Sequence, residues 1–208
     1  MRLDRRFFGA ALITLAACSS VPKKPILKLS ELEGKKVALV DVEGELTARS
    51  IVEVALVNQL VKRGTFFLVP KKDVETAKSA PQQDPTDWQG LAKRSQADVA
   101  LRAFVKTFHA ETQDSYSKEV VLDSQYAEEQ GNDGKMERVI PVKTLNGEVR
   151  IELEWTQLAN NQTVSGTAEA KKSIQDQAKD QAIHLPPRLR FLEDLSNEAF
   201  SLFFDHYR

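Results

Sequence analysis

Residues 35–42 read Lys-Lys-Val-Ala-Leu-Val-Asp-Val, a short apolar run between Gly34 and Gly44. A run of this length without polar alternation fits a strand covered on both faces. A helical pattern follows at once. Thr47 is placed to cap it, Ile51, Val54, Ala55, Asn58 and Val61 fall on one face, and Val52, Leu56 and Leu60 widen the stripe. Gly64 supplies the stop. Phe66–Val69 then reads as a second strand ended by Pro70, and Lys71–Ala80 as a weak helix. After a loop at Pro81–Pro85, Thr86 is placed to cap a helix carrying Trp88, Leu91 and Ala92, and Val99–Phe108 reads as a third strand. Strand-helix-strand-helix-strand implies right-handed crossovers onto one shared sheet.

The second half changes character. Thr112–Lys135 is polar, with an Asn132-Asp133-Gly134 turn signal, and reads either as a loop or as an elongated hairpin used for docking. Val149, Ile151, Leu153 and Trp155 then alternate with Arg150, Glu152, Glu154 and Thr156, the period of a half-buried antiparallel strand. Asn146-Gly147 reads as a hairpin turn joining this strand to 137–145, and Asn160-Asn161 joins it to 162–170. Val164, Gly166, Ala168 and Ala170 give that last strand a small inner face. A helix is expected over Ser173–Ile183, broken by Pro186-Pro187, and a closing helix over Arg188–Tyr207 with Leu189, Leu192, Leu195, Ala199, Leu202 and Phe203 inward. The expected class is α/β (α+β): one mixed sheet, then antiparallel strands, with the C-terminal helix packed on the sheet.

The amino terminus carries a different signal. Arg2, Arg5 and Arg6 precede an apolar run from Phe7 to Ala17, too short to span a bilayer but suited to the core of an export signal. The run ends in Leu15-Ala16-Ala17-Cys18, which resembles the lipobox of bacterial lipoproteins. The resemblance implies cleavage after residue 17, a diacylglycerol on the Cys18 sulfur and an N-acyl chain on its amine. Residues 1–17 are then a lipoprotein signal peptide, 18–33 a lipidated tether with two prolines, and 34–208 a single periplasmic domain with a polar loop or hairpin insertion at about 112–136. Ser19 and Ser20, with no aspartate behind the cysteine, resemble an outer-membrane address.

Composition narrows the function. In 208 residues, 29 lysines and arginines face 30 acids, so a general nucleic-acid binder, which needs a basic excess, is excluded. One cysteine rules out an internal disulfide framework, and His109, His184 and His206 are too scattered for a zinc centre. No glycine-rich phosphate loop follows the first strand, where Glu43 and Glu45 would repel phosphate. Asp41 and Glu43 lie at a strand end where open sheets bind ligands, and read as a cation or amine site or as a solvated loop. His109, Glu111 and Asp114 lack a second ligand at helical spacing. Glu152 and Glu154 share a strand face about 7 Å apart, a spacing that invites a glycosidase reading. Arg150 and Thr156 beside them make an ordinary solvated face.

The Lys35–Val40 strand, the Leu56-x-x-Gln59-Leu60-Val61-Lys62-Arg63-Gly64 helix end, the Phe66-Phe67-Leu68-Val69 strand and the Ala92–Ala100 approach (AKRSQADVA) together resemble an envelope lipoprotein superfamily. It includes the curli-secretion lipoprotein and the activators of penicillin-binding proteins, and the TolB amino-terminal domain is similar. The chain departs from its pattern in having Pro70-Lys71 where an arginine is usual and Ala103-Phe104 where a glycine is. The resemblance implies a non-enzymatic, lipid-anchored adaptor at the periplasmic face of the outer membrane, with an envelope protein as partner, no metal and no cofactor beyond the acyl chains. Tyr116 and Tyr126 would be the anchors in a docking hairpin. The alternatives are a ring-forming subunit of a curli-like export channel and an envelope hydrolase using an acidic pair such as Glu152 and Glu154.

Overall fold

A computed structural model describes residues 29–79, 84, 86–122, 135–178 and 182–206. Strands β1 (Lys36–Glu43), β2 (Phe67–Leu68), β3 (Val99–Leu122), β4 (Lys135–Gln157) and β5 (Gln162–Gln177) form one sheet in the order β2-β1-β3-β4-β5. β1 is parallel to both its neighbours, and β4 is antiparallel to β3 and β5. Helices α1 (Leu46–Arg63), α2 (Lys71–Lys78), α3 (Trp88–Arg94) and α4 (Arg188–His206) pack around it. This is the mixed-sheet α+β architecture that the sequence pattern points to, with the last helix on the sheet.

Two cores of unequal size hold the layers together. The larger lies between the sheet and α1 with α4: Val37, Val42, Leu101, Val149, Ile151, Leu153 and Trp155 meet Val52, Leu56, Leu60, Phe200 and Phe204. The Trp155 ring meets Phe204 edge-on at 6.3 Å between centroids, an arrangement that aligns ring edge and face charges. On the opposite face, Ala38, Val40 and Ala100 pack against Val74, Leu91 and Ala92 of α2 and α3. β1 is thus covered on both sides, which is why its sequence is apolar without alternation.

The helix ends differ slightly from the sequence reading. Gly64 ends α1 in a left-handed conformation at φ 63°, open to glycine at little cost. The residue before α1 is Glu45 rather than Thr47, and Asp87 rather than Thr86 caps α3, its Oδ1 accepting the Gly90 N–H at 2.8 Å. α1 buries Val52, Ala55, Leu56, Gln59 and Leu60 and exposes Val54 and Val61. Apolar residues surround this helix, so its periodicity leaves the buried side open and the packing of α4 decides it. α4 turns likewise onto Phe191, Leu192, Leu195, Ala199, Phe200, Phe203 and Phe204, leaving Leu189 and Leu202 exposed.

Three expectations for the second half are corrected. β3 does not end at Phe108, and 112–135 is not a loop throughout: β3 runs to Leu122, and β4 starts at Lys135, paired residue by residue. The Asn132–Gly134 turn signal itself falls outside the described residues. Asn146-Gly147 is not a turn. β4 passes straight through it, and the Gly147 φ is not positive, as a hairpin glycine of this kind would require. Gly147 serves packing instead, because a Cβ there would lie 2.5 Å from Phe191 Cε1 and 2.7 Å from Leu195 Cδ1. Nor is Ser173–Gln177 helical. β5 continues to Gln177, with Ile174 opposite Leu145 and the Ser173 hydroxyl 2.8 Å from Asn146 Oδ1. At the end of the strand, the Asp176 carboxylate accepts the backbone N–H groups of His184 and Gln177, which holds it below the usual aspartate range.

Replacing Gly147 by valine forces methyl groups into the contact with Phe191 and Leu195. Urea denaturation is expected to show a loss of about 2 kcal/mol, the scale of core overpacking.

Candidate functional site

The most distinctive feature follows from unequal strand lengths. β1 stops pairing with β3 at Glu43 opposite Phe104, and β5 reaches only to Gln177 opposite Val142. Beyond these points, 116–122 and 135–141 are paired as strands only with each other, while the Pro141 carbonyl also accepts the Ala178 N–H at 3.0 Å. At about 3.4 Å per residue, this two-stranded ribbon extends roughly 24 Å from the sheet. A free-standing pair of strands is marginal in water, so the ribbon depends on being continuous with β3 and β4.

Residues directly opposite each other share a face. One face of the ribbon therefore carries Tyr116 beside Pro141, Lys118 beside Val139 and Val120 beside Glu137. Tyr116, Val120 and Val139 are 74%, 60% and 55% exposed. The Lys118 ammonium lies 2.9 Å from the Glu137 carboxylate, a diagonal cross-strand pair that fixes the register. On the opposite face Val121 sits beside Met136, both partly exposed, and Ile140 and Val142 are buried. Folding gains nothing from Tyr116, Val120 and Val139 in solvent, and clustered exposed apolar residues are characteristic of contact surfaces. Tyr116 was legible in the sequence; Val120 and Val139 were not, because their adjacency needs the register. Tyr126 and Cys18 lie outside the described residues.

The acidic candidates have a different environment. Arg102 is their organiser: its guanidinium lies 2.6 Å from Glu43 and 3.5 Å from Glu154, and stacks over Trp88 at 5.4 Å and Phe104 at 4.7 Å. Glu152 is paired with Lys106, the residue left over by a register shift in β3, at 3.3 Å. Glu152 and Glu154 thus each have a cation across the strand, and Thr156 is buried, sharing a hydrogen bond with Thr163 at 2.7 Å. His109 sits 3.6 Å from Glu111, whereas Asp114 pairs with Lys143 at 3.5 Å. Among the described residues no three His, Cys, Asp or Glu side chains are grouped as a metal would require.

Asp41 lines a crevice of about 210 Å³ over the end of β1, together with Arg49, Glu53, Lys71, Glu75 and Lys78. Glu53 and Lys71 are joined there at 2.5 Å, and that hydrogen bond raises the Lys71 ammonium above the ordinary lysine value. Glu43 turns instead to Arg102, so the structure does not bring the Asp41–Glu43 pair together on one ligand. No helix among the described residues is long and apolar enough to cross a membrane.

Arg102→Ala removes two ion pairs and two ring contacts from a mostly shielded side chain. It is expected to lower the unfolding free energy by about 1–2 kcal/mol. Tyr116→Ala, in solvent, is expected to change it by less than about 0.5 kcal/mol in the same urea titrations.

No family model matches the chain, and no curated protein matches it. Several solved structures are distantly similar. Lipoprotein GNA1162 from Neisseria meningitidis is 12% identical with a TM-score of 0.43, covering 83% of this chain and 99% of its own. The LpoB C-terminal domain from Salmonella enterica is 14% identical with a TM-score of 0.39, covering 67% and 84%. The PelC dodecamer from Paraburkholderia phytofirmans is 14% identical with a TM-score of 0.37, covering 86% and 91%.

Proposed function

We propose that this chain is a lipid-anchored, non-enzymatic adaptor at the periplasmic face of the outer membrane, which recruits or stabilises an envelope protein machine through its projecting ribbon. The observation that carries the reading is the face of Tyr116, Val120 and Val139, apolar, ordered by cross-strand pairing and open to solvent. An aromatic residue flanked by aliphatic ones on a rigid support is the usual make-up of an interface anchor.

The amino-terminal pattern supports the anchored half of the proposal. Three arginines, an apolar run and Leu15-Ala16-Ala17-Cys18 have the layout of a processed lipoprotein leader. A diacylated, N-acylated Cys18 holds the domain at a surface far more firmly than a single chain, since each buried methylene contributes about 0.8 kcal/mol. Confinement raises the local concentration of the ribbon for a partner in the same layer. The non-enzymatic half rests on the acids. Glu43 and Glu154 are engaged by Arg102 and Glu152 by Lys106, ion pairs that tie these acids into the sheet face.

A photo-crosslinking residue at position 116 or 139 of the full chain, in cells, is expected to capture one defined envelope protein, while the same residue at the exposed position 76 of α2 captures none. Cys18→Ser is expected to reduce that capture about tenfold or more, as the local concentration falls. Equal labelling from all three positions, or none from 116 and 139, would remove the ribbon from the account.

A further inference from the structure

The two edges of the sheet differ greatly. β2 is two residues long and is closed off by Pro70, which has no N–H to offer. β5 runs 16 residues, pairs with β4 in unbroken register, and contains no proline. Among the described residues no strand lies along its other side. A regular open edge of roughly 54 Å is a ready template for another strand.

The pattern of β5 fits one occupant well. In an antiparallel pairing of two identical strands, the position of the two-fold axis fixes every partner. An axis at Glu169, Lys171 or Lys172 sets like charges against each other. An axis at Ala170 instead places Glu169 opposite Lys171 of the second copy, and Lys171 opposite its Glu169. On that face it also sets Thr167 against Ser173, Ser165 against Gln175 and Thr163 against Gln177, all polar pairs. Within one copy the same face already carries an alternating row, Glu148 to Lys171 at 3.1 Å, Lys171 to Glu169 at 3.6 Å and Glu169 to Arg150 at 3.9 Å. The Ala170 axis continues that row across the join.

The covering helix agrees with this arrangement. Pairing about Ala170 keeps faces matched, so both α4 helices lie on the same side of the joined sheet. Glu198 of α4 reaches Lys172 of β5 at 3.8 Å, which marks the side of the helix nearest the open edge. Leu202, one turn further on and therefore on that side, is 56% exposed although its helix is otherwise well buried.

We propose that two copies of this chain join by antiparallel pairing of β5 with β5, centred on Ala170, to form one continuous ten-stranded sheet. This contact is separate from the ribbon and stands independently of the adaptor reading.

Sedimentation equilibrium of the full chain in detergent tests it, with Glu169→Lys, Lys171→Glu and the double swap compared. All three changes are on exposed side chains, and far-UV circular dichroism verifies that each variant folds. The expected particle holds two copies. Each single swap sets like charges together at both symmetric positions and should weaken association roughly tenfold. The double swap leaves the pairs with Arg150 and Glu148 broken but restores the inter-copy pairs, so association should return to within about threefold of the original. Particles of one copy or of more than two would overturn the proposal. So would a dimer whose affinity ignores the single swaps, or falls further in the double one.

Discussion

From Val142 to Gln157 β4 is paired on both sides, with β3 and with β5, and the remaining features follow from that double pairing. It satisfies the strand's backbone groups along its length, which is the condition for burying a strand at all. Its inward positions Leu145, Val149, Ile151, Leu153 and Trp155 are each no more than 1% exposed and form the floor on which α4 lies. Gly147 interrupts that row, and the space it leaves is filled by Phe191 and Leu195. The helix approaches most closely where the strand has no side chain. Ahead of Val142 the strand has β3 alone as neighbour, and it is there that apolar residues come to lie in solvent. One strand therefore supplies both the rigid support and the exposed face.

The first half of the molecule was legible because each local signal agrees with the tertiary structure. Val37–Val40 is covered on both faces and reads as unbroken apolar sequence; Gly64 sits at a left-handed helix end and reads as a stop. The second half was less legible for a common reason. Asn146-Gly147 is a strong hairpin signal in isolation, but pairing on both sides and the closeness of α4 outweigh it. Ser173–Gln177 has the composition of a polar helix, yet Ile174 gains more by packing opposite Leu145 than a short isolated helix would gain from its hydrogen bonds. The polar look of 112–122 arises because the buried positions of this pair, Ile140 and Val142, lie on β4, opposite Ser117 and Ser115 of β3. In each case a non-local pairing overrode a local preference.

The candidate site divides along the same line. Tyr116 could be picked out as a large aromatic residue in polar surroundings, whereas its neighbours Val120 and Val139 emerge only from the register of β3 against β4. Arg102 had no sequence signal at all: it becomes an organiser because β1, β3 and β4 bring Glu43 and Glu154 to it and Trp88 and Phe104 under its plane. In that cluster Glu43 and Glu154 share Arg102, and Glu152 pairs with Lys106. The charged face is therefore read as a stabilising lattice, and the ribbon as the part directed outward.

Native-state hydrogen exchange along β4 tests the central claim most directly. If one continuous strand bears both core and ribbon, the amides of Leu145 to Trp155, Asn146 and Gly147 included, should contain the slowest exchangers in the chain, opening only with global unfolding. Those of residues 116–121 and 136–139 should exchange orders of magnitude faster through local opening. Rapid exchange at Asn146 and Gly147, with a break in protection between the two halves of β4, would mean that the chain reverses there, and the account would fail.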